Sequence, residues 1–271
     1  MKTLNIIGGG RVGQTLGRLF QTAGLFQVQA TLTRSRASAE HAVEFIGAGQ
    51  ACTSLAAMPA ADVWMLAVSD QQISVVAAEL ARLAPARPAA LAFHCSGALD
   101  STELSPLRQC GWSVASAHCL LSFARPELAL AQFAGTPCAL EGDAAALDLL
   151  DAVFTVVGGQ CFRLAAQHKL RYHAAAVFAT NFLPVLQDLA EQLWQHSGMP
   201  DALAQQMRER LLRHAVNNIV ALGPKAALTG PAARGDLSLV AAQGQSVTQW
   251  NADAGQAYQA LSRLAGKLTH S

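Results

Sequence analysis

Charge is scarce in this chain: Asp, Glu, Lys and Arg make up 14% of its 271 residues and leave a net charge of only +1. That balance excludes the basic footprint of a nucleic-acid binder and the polybasic patch of a membrane-surface protein. A spanning apolar run is missing as well. The longest apolar stretch, residues 174–186, is interrupted by Thr180, Asn181 and Pro184, short of the roughly 20 residues a bilayer helix needs. The N-terminus enters a strand-like run and glycines without an apolar leader core, so export is not expected. No Cys-x-x-Cys pair occurs among Cys52, Cys95, Cys110, Cys119, Cys138 and Cys161. A chain of this size does not need covalent staples, and the simplest reading is reduced thiols in a cytoplasmic protein. What is abundant is core material: 52% of the residues are apolar, enough to bury roughly three quarters of the extended chain's surface.

Strand and helix signals alternate through the first 160 residues. Residues 4–7 read as a strand, 12–23 as a helix, 28–33 as a strand, 38–47 as a helix and 63–68 as an apolar strand. Asp70 is placed to cap a helix over 71–83. Further strands are expected over 89–94, 112–118 and 137–141, with Asp143 capping a helix to about residue 157. A short strand at 161–164 ends the series. This alternation predicts a doubly wound, mostly parallel sheet of the Rossmann type, covered on both faces. From there the signal is helical: 164–196 as one helix bent or interrupted near Pro184, 200–222 as a second, breaks at Gly223-Pro224 and Thr229-Gly230-Pro231, and a last helix from about 250 to 268. The expected organisation is therefore α/β with an all-α C-terminal domain, 1–162 binding a dinucleotide and 163–271 serving substrate binding and dimerisation.

The motif Gly8-x-Gly10-x-x-Gly13 lies between the first strand and the first helix. In that context glycines let the backbone turn tightly and approach a pyrophosphate, which the free N–H groups of the helix start attract. Gly8, Gly10, Arg11, Val12 and Gly13 are the expected cofactor contacts. NAD binding usually calls for a carboxylate about 20 residues on, to accept from the ribose hydroxyls. None is present: residues 30–36 read Ala-Thr-Leu-Thr-Arg-Ser-Arg, and residues 1–39 hold five bases and no acid. Arg34, Ser35 and Arg36 suit a 2′-phosphate, so NADP(H) is the expected cofactor. A solvated loop is the plainer account of both arginines.

In an open parallel sheet, ligands gather beyond the carboxyl ends of the strands. Val68 and Ser69, His94-Cys95-Ser96-Gly97, and His118-Cys119 follow three of the predicted strands. The two His-Cys pairs invite a zinc reading, but adjacent strand residues point to opposite faces, and no metal is expected. A buried strand end is the simpler account of His94 and Cys95. Only four lysines occur, and Lys169 sits four residues before His173 on one predicted helix face that would continue to Thr180 or Asn181. Ammonium, imidazole and amide on an otherwise apolar face can orient and protonate a carbonyl or imine. A solvated stripe is the plainer alternative. Further on, Thr229 and Arg234 lie in a glycine- and proline-fixed loop, where Arg234 either meets a substrate carboxylate or clamps Asp236.

Taken together, several segments resemble an uncharacterised NADP-oxidoreductase-like family that joins a Rossmann domain to a helical domain of unknown function. They are Gly8 to Gly13, His94-x-Ser96-Gly97, His118 with Ser122-Phe123, Phe133-Ala134-Gly135, Glu141-Gly142-Asp143, Lys169-x-x-Tyr172-His173-Ala174-Ala175, Asn181, and Thr229-Gly230-Pro231-x-x-Arg234-Gly235-Asp236. Cys119 departs from the family, which usually has proline after that histidine. The wider relatives look like pyrroline-5-carboxylate reductase, ketopantoate reductase, β-hydroxyacid dehydrogenases and prephenate dehydrogenase, with a helical domain similar to that of 6-phosphogluconate dehydrogenase. In ketopantoate reductase and the β-hydroxyacid dehydrogenases a catalytic lysine precedes an asparagine by four residues, so Lys169 matches while His173 replaces the amide. Ser96 and His118 resemble a serine and a histidine of prephenate dehydrogenases.

The resemblance implies an NADP-dependent oxidoreductase acting on a small carbonyl, imine or hydroxy-acid type substrate. Lys169, His173, His118, Ser96 and Asn181 are the candidate catalytic residues, with Arg234 and Thr229 toward substrate, and a homodimer through the helical domain. No nucleic-acid or membrane partner is expected. A non-catalytic NADP-binding or sensing protein is the alternative.

Overall fold

The computed structural model describes residues 1–84 and 88–270. It divides into two compact units, Met1–Val177 and Phe178–Ser271. The first unit is organised by eight strands: β1 (Lys2–Ile7), β2 (Phe26–Leu32), β3 (Gln50–Cys52), β4 (Val63–Leu66), β5 (Leu91–His94), β6 (Ser113–Cys119), β7 (Pro137–Gly142) and β8 (Gln160–Arg163). They form one sheet in the order β3-β2-β1-β4-β5-β6-β7-β8. Every neighbouring pair is parallel except β6 and β7. The order reverses between β1 and β4, which opens a crevice beyond their carboxyl ends.

Both sheet faces are covered, so the central strands β4 and β5 are buried along their whole length and do not alternate. All four residues of β4 and of β5 are buried. On one face Leu4, Ile6, Met65 and Phe93 pack with Leu16 and Phe20 of α1 (Arg11–Thr22) and Phe154 of α6 (Ala144–Val156). Trp64, Leu66 and Val114 point to the other, against Ile73, Ala77 and Leu80 of α3 (Asp70–Leu83) and Leu107 of α4 (Ser105–Gln109). The remaining helices of this unit are α2 (Arg36–Ile46), α5 (Pro126–Gln132) and α7 (Lys169–Ala176).

Several expectations shift locally. Asp70 opens α3 from inside, and Ser69 occupies the cap position without a side-chain cap bond. Asp143 does sit at the N-cap of α6, but its carboxylate accepts from Val114 N–H at 2.8 Å and pairs with Arg108 at 3.0 Å, leaving the helix start uncapped. The short elements β3, α4 and α5 carry too few residues for a periodic pattern. The expected helix over 164–196 is divided into a 3-10 turn (Ala166–His168), α7, a π turn (Val177–Asn181) and α8 (Phe182–His196). Its irregularity precedes Pro184, since the proline ring crowds the carbonyl four residues back and the widened turn accommodates it.

The second unit continues with α9 (Asp201–Ala227), α10 (Pro231–Arg234), α11 (Leu237–Trp250) and α12 (Ala252–His270). Backbone geometry leaves the helical region inside α9 at Gly223, as its Gly-Pro pair predicts. Trp250 closes α11 instead of opening the last helix. Asn251 is extended, and its side chain accepts from Ala254 N–H to start α12. No helix among the described residues is long and apolar enough to cross a membrane.

Candidate active site

The glycine loop follows β1 directly. Gly8 has φ +107°, and a Cβ there would lie 2.3 Å from the Ala67 carbonyl oxygen; one on Gly13 would lie 2.1 Å from that of Gly8. The loop is thus closed against β4 and upon itself, and only glycine permits it. Gly10 differs: a Cβ on it would meet nothing within 4 Å. It is the N-cap of α1, no side chain caps that end, and no acid stands in the first turn. The N–H groups of Arg11, Val12 and Gly13 therefore lack intrahelical partners and face an open approach. This donor set fits the pyrophosphate of a dinucleotide.

At the end of β2, Ser35 caps α2 by accepting from Ser38 N–H, Arg36 pairs with Glu40 at 2.7 Å, and Arg34 is exposed. No carboxylate replaces the missing acid of β2 in sequence. Val68 and Ser69 follow β4 into α3, the first half-buried and the second exposed.

A second cluster forms where β5 and β6 end and α7 passes. Lys169 is 1% exposed, and its ammonium donates to the Ser96 carbonyl at 3.0 Å and to Ser116 Oγ at 2.6 Å. It forms no ion pair among the described residues. Burial draws its pKa below that of an ordinary lysine, against the pull of Glu141 and Asp100. Ser96 is consumed by its own loop, its hydroxyl accepting from the N–H groups of Ala98 and Leu99. His94 is equally committed. Its Nε2 faces the Asp100 carbonyl at 2.9 Å and its Nδ1 faces Ser96 N–H at 3.2 Å. A carbonyl only accepts and an amide only donates, so the proton is on Nε2 and the ring is neutral. Burial, aided by Lys169, pushes its pKa down to about 4.

The imidazoles of His118 and His173 stand over Gly97. A Cβ on Gly97 would lie 2.6 Å from His173 Nδ1 and 2.7 Å from His118 Nε2, so both nitrogens converge on one backbone position. The rings are 5.6 Å apart, edge to face. His118 Nδ1 meets the Tyr172 hydroxyl at 3.1 Å, whereas His173 Nδ1 is buried without a partner. Burial first, then Lys169 and His173, push the His118 pKa down to about 4.

The structure thus brings Lys169, His173, His118 and Ser96 together within one unit. Asn181, Thr229 and Arg234 belong to the other. Asn181 lies in the π turn that interrupts the helix, so the face running from Lys169 through His173 does not continue regularly to it. Its carboxamide oxygen accepts from the Thr180 hydroxyl. The Arg234–Asp236 clamp is not formed, because Asp236 caps α11 through Leu239 N–H and accepts from Ser238, while Arg234 is exposed. Three contributors escaped the sequence analysis as site residues: Ser116, Tyr172 and Gly97. Ser116 is two residues from His118 on one face of β6, and Tyr172 is three from Lys169 on α7, so periods of two and of 3.6 carry the signal. At Cys119 the strand simply continues, and its buried thiol faces Cys138 across the β6–β7 pair at 3.4 Å.

Comparisons with known proteins agree with the fold. Residues 2–118 match the model of a Rossmann-like domain, and residues 136–265 match that of a domain of unknown function, DUF2520. Among solved structures, a Thermotoga maritima protein is 24% identical with a TM-score of 0.75, covering 99% of this chain and 98% of its own. A Bacteroides fragilis protein described as a candidate NADP oxidoreductase is 20% identical with a TM-score of 0.78, covering 98% of each chain. An imine reductase variant from Myxococcus stipitatus, solved with NAD+, is 19% identical with a TM-score of 0.60, covering 100% of this chain and 95% of its own. At these identities the likeness is one of fold. No curated protein matches the chain. The chain thus carries a match to a Rossmann-like domain followed by a match to DUF2520.

Proposed function

We propose that this protein is an oxidoreductase that moves a hydride between NADP(H) and a small carbonyl, imine or hydroxy-acid type compound. The observation that carries the reading is the uncapped start of α1 behind Gly10, with three N–H groups and open space before them. Gly8, Gly10, Arg11, Val12 and Gly13 would hold the pyrophosphate through their backbone, with Val68 and Ser69 bordering the crevice after β4. Arg34, Ser35 and Arg36 would hold the 2′-phosphate of the adenosine end. Arg36 exchanges its partner at little cost, because its pair with Glu40 is exposed and screened by solvent.

The nicotinamide nucleotide supplies or accepts the hydride. The chain's own part is to orient and polarise the reacting group. His118 and His173 are the candidates for touching substrate, since both are only partly buried and their ring nitrogens converge. Lys169 and Ser96 act from beneath: the buried ammonium ties α7 to the ends of β5 and β6 and disfavours a second positive charge on His118. Asn181, Thr229 and Arg234 are proposed as further substrate-binding residues. The helical unit is also proposed to pair with a second copy, because its exposed apolar residues run from Phe178 to Leu268. Six free cysteines accord with a reducing, cytoplasmic setting.

His118→Ala and His173→Ala test the catalytic assignment. Each is expected to lower NADPH-dependent reduction by at least 100-fold while NADPH affinity changes less than threefold. Unchanged turnover in both overturns the assignment, and tight NADPH binding with no turnover by the unsubstituted protein on any carbonyl or imine points to a nucleotide-binding protein instead.

A further inference from the structure

The unpaired imidazole nitrogens over Gly97 raise the question of which one presents a proton. Tyr172 answers it for His118. The phenol and His118 Nδ1 are 3.1 Å apart and their rings meet edge to face at 5.6 Å. A phenolic hydroxyl is both donor and acceptor, and a neutral imidazole offers one N–H and one lone pair, so two arrangements satisfy the contact. One observation decides between them, and a second keeps the ring neutral. The imidazole nitrogen is the one hydrogen-bond acceptor found for Tyr172 Oη among the described residues, so its O–H has that lone pair to bond. The buried ammonium of Lys169, fixed by Ser96 and Ser116, stands on the same helix and disfavours the doubly protonated ring. The charged or titratable groups facing His118 from α7 are Lys169, Tyr172 and His173, none of them a carboxylate.

We propose that Tyr172 is a positioning residue that donates to His118 Nδ1, fixing His118 as the neutral Nε2–H tautomer with that N–H directed to the Gly97 side. Proposing that this N–H serves substrate rests on the oxidoreductase reading above; the tautomer itself does not. A neutral imidazole held in this way polarises a carbonyl or imine by hydrogen bonding, a role distinct from that of an imidazolium acid. It selects ligands that present an acceptor atom. Gly97 completes the device, since any side chain there would collide with the nitrogen that carries the proton. His173 Nδ1, buried and unpartnered beside it, remains for a second polar atom of the same ligand.

The test is imidazole nitrogen NMR on the free, full-length protein, which requires neither nucleotide nor turnover. His118 is expected to show a protonated Nε2 and an unprotonated Nδ1 at pH 7. Tyr172→Phe is expected to redistribute the proton toward Nδ1 and to raise the pH at which the ring becomes charged, because a bond favouring its neutral form is gone. A protonated Nδ1 in the unsubstituted protein overturns the proposal, and so does a Tyr172→Phe spectrum with the same tautomer and titration. Should Tyr172→Phe fail to fold, the first spectrum alone decides. Absence of nucleotide binding in a protein with the expected tautomer would refute the oxidoreductase reading and leave this assignment standing.

Discussion

The two compact units solve burial in opposite ways. In Met1–Val177, a sheet covered on both faces encloses Trp64, Phe20, Phe93 and Phe154, and it buries polar groups such as Lys169 and His94 with their partners in place. In Phe178–Ser271, the buried apolar side chains among the described residues are only Ala204 and Ala254, while Val220 is 81% and Leu237 76% exposed. The first unit has a core that accounts for itself, and buried Lys169 and His94 are tolerated there because their polar atoms are hydrogen-bonded. The second has its apolar surface outside, the pattern of a module completed by further contacts.

The sharpest way to break this comparison is to remove one large side chain from each unit. Phe93→Ala is expected to cost about 3–5 kcal/mol of unfolding free energy, whereas Val220→Ala is expected to cost at most about 0.5 kcal/mol in the isolated chain. Urea denaturation of both variants measures the gap, and equal losses would abolish the distinction.

A pH series probes the buried polar cluster. His94 is neutral in the fold and titrates near 4, against 6.5 for an unrestrained imidazole. The unfolded chain therefore takes up the proton first. Stability is complete above pH 6.5 and falls as pH drops toward 4, by about 3 kcal/mol for this group. Unfolding midpoints at pH 7.5 and 4.5 should differ accordingly, and His94→Gln should flatten the slope. A smaller expected effect belongs to the surface of the helical unit. Val220→Asp should weaken self-association, read by sedimentation, with less than about 0.5 kcal/mol change in monomer stability. Smallest is Glu40→Ala: its pair with Arg36 is exposed and screened by solvent, and its loss should leave the unfolding midpoint unmoved.

The same contrast governs what could be read from sequence. The parallel sheet was legible because strands buried on both faces appear as apolar runs, as in Val63–Leu66, and because Gly8, Gly10 and Gly13 stand at the one place where strand, turn and helix demand them. The short strand Gln50–Cys52 was not, since three residues have no period. In the helical part, Leu237–Trp250 was not legible as a helix because Gly244 and a run of Gln, Ser and Thr dilute its apolar face. Lys169 and His173 were legible as a helix-face pair, while Ser116 and Gly97 entered only through tertiary contact: one is a serine in a strand, the other a glycine in a loop, until the Lys169 ammonium and two imidazoles are laid against them.

Calorimetric titration of the folded protein with NADPH and with NADH tests the central claim most directly. The account predicts one nucleotide per chain, with NADPH bound at least tenfold more tightly and that preference removed by substituting Arg34 and Arg36 together with Ala. No heat with either nucleotide would contradict it.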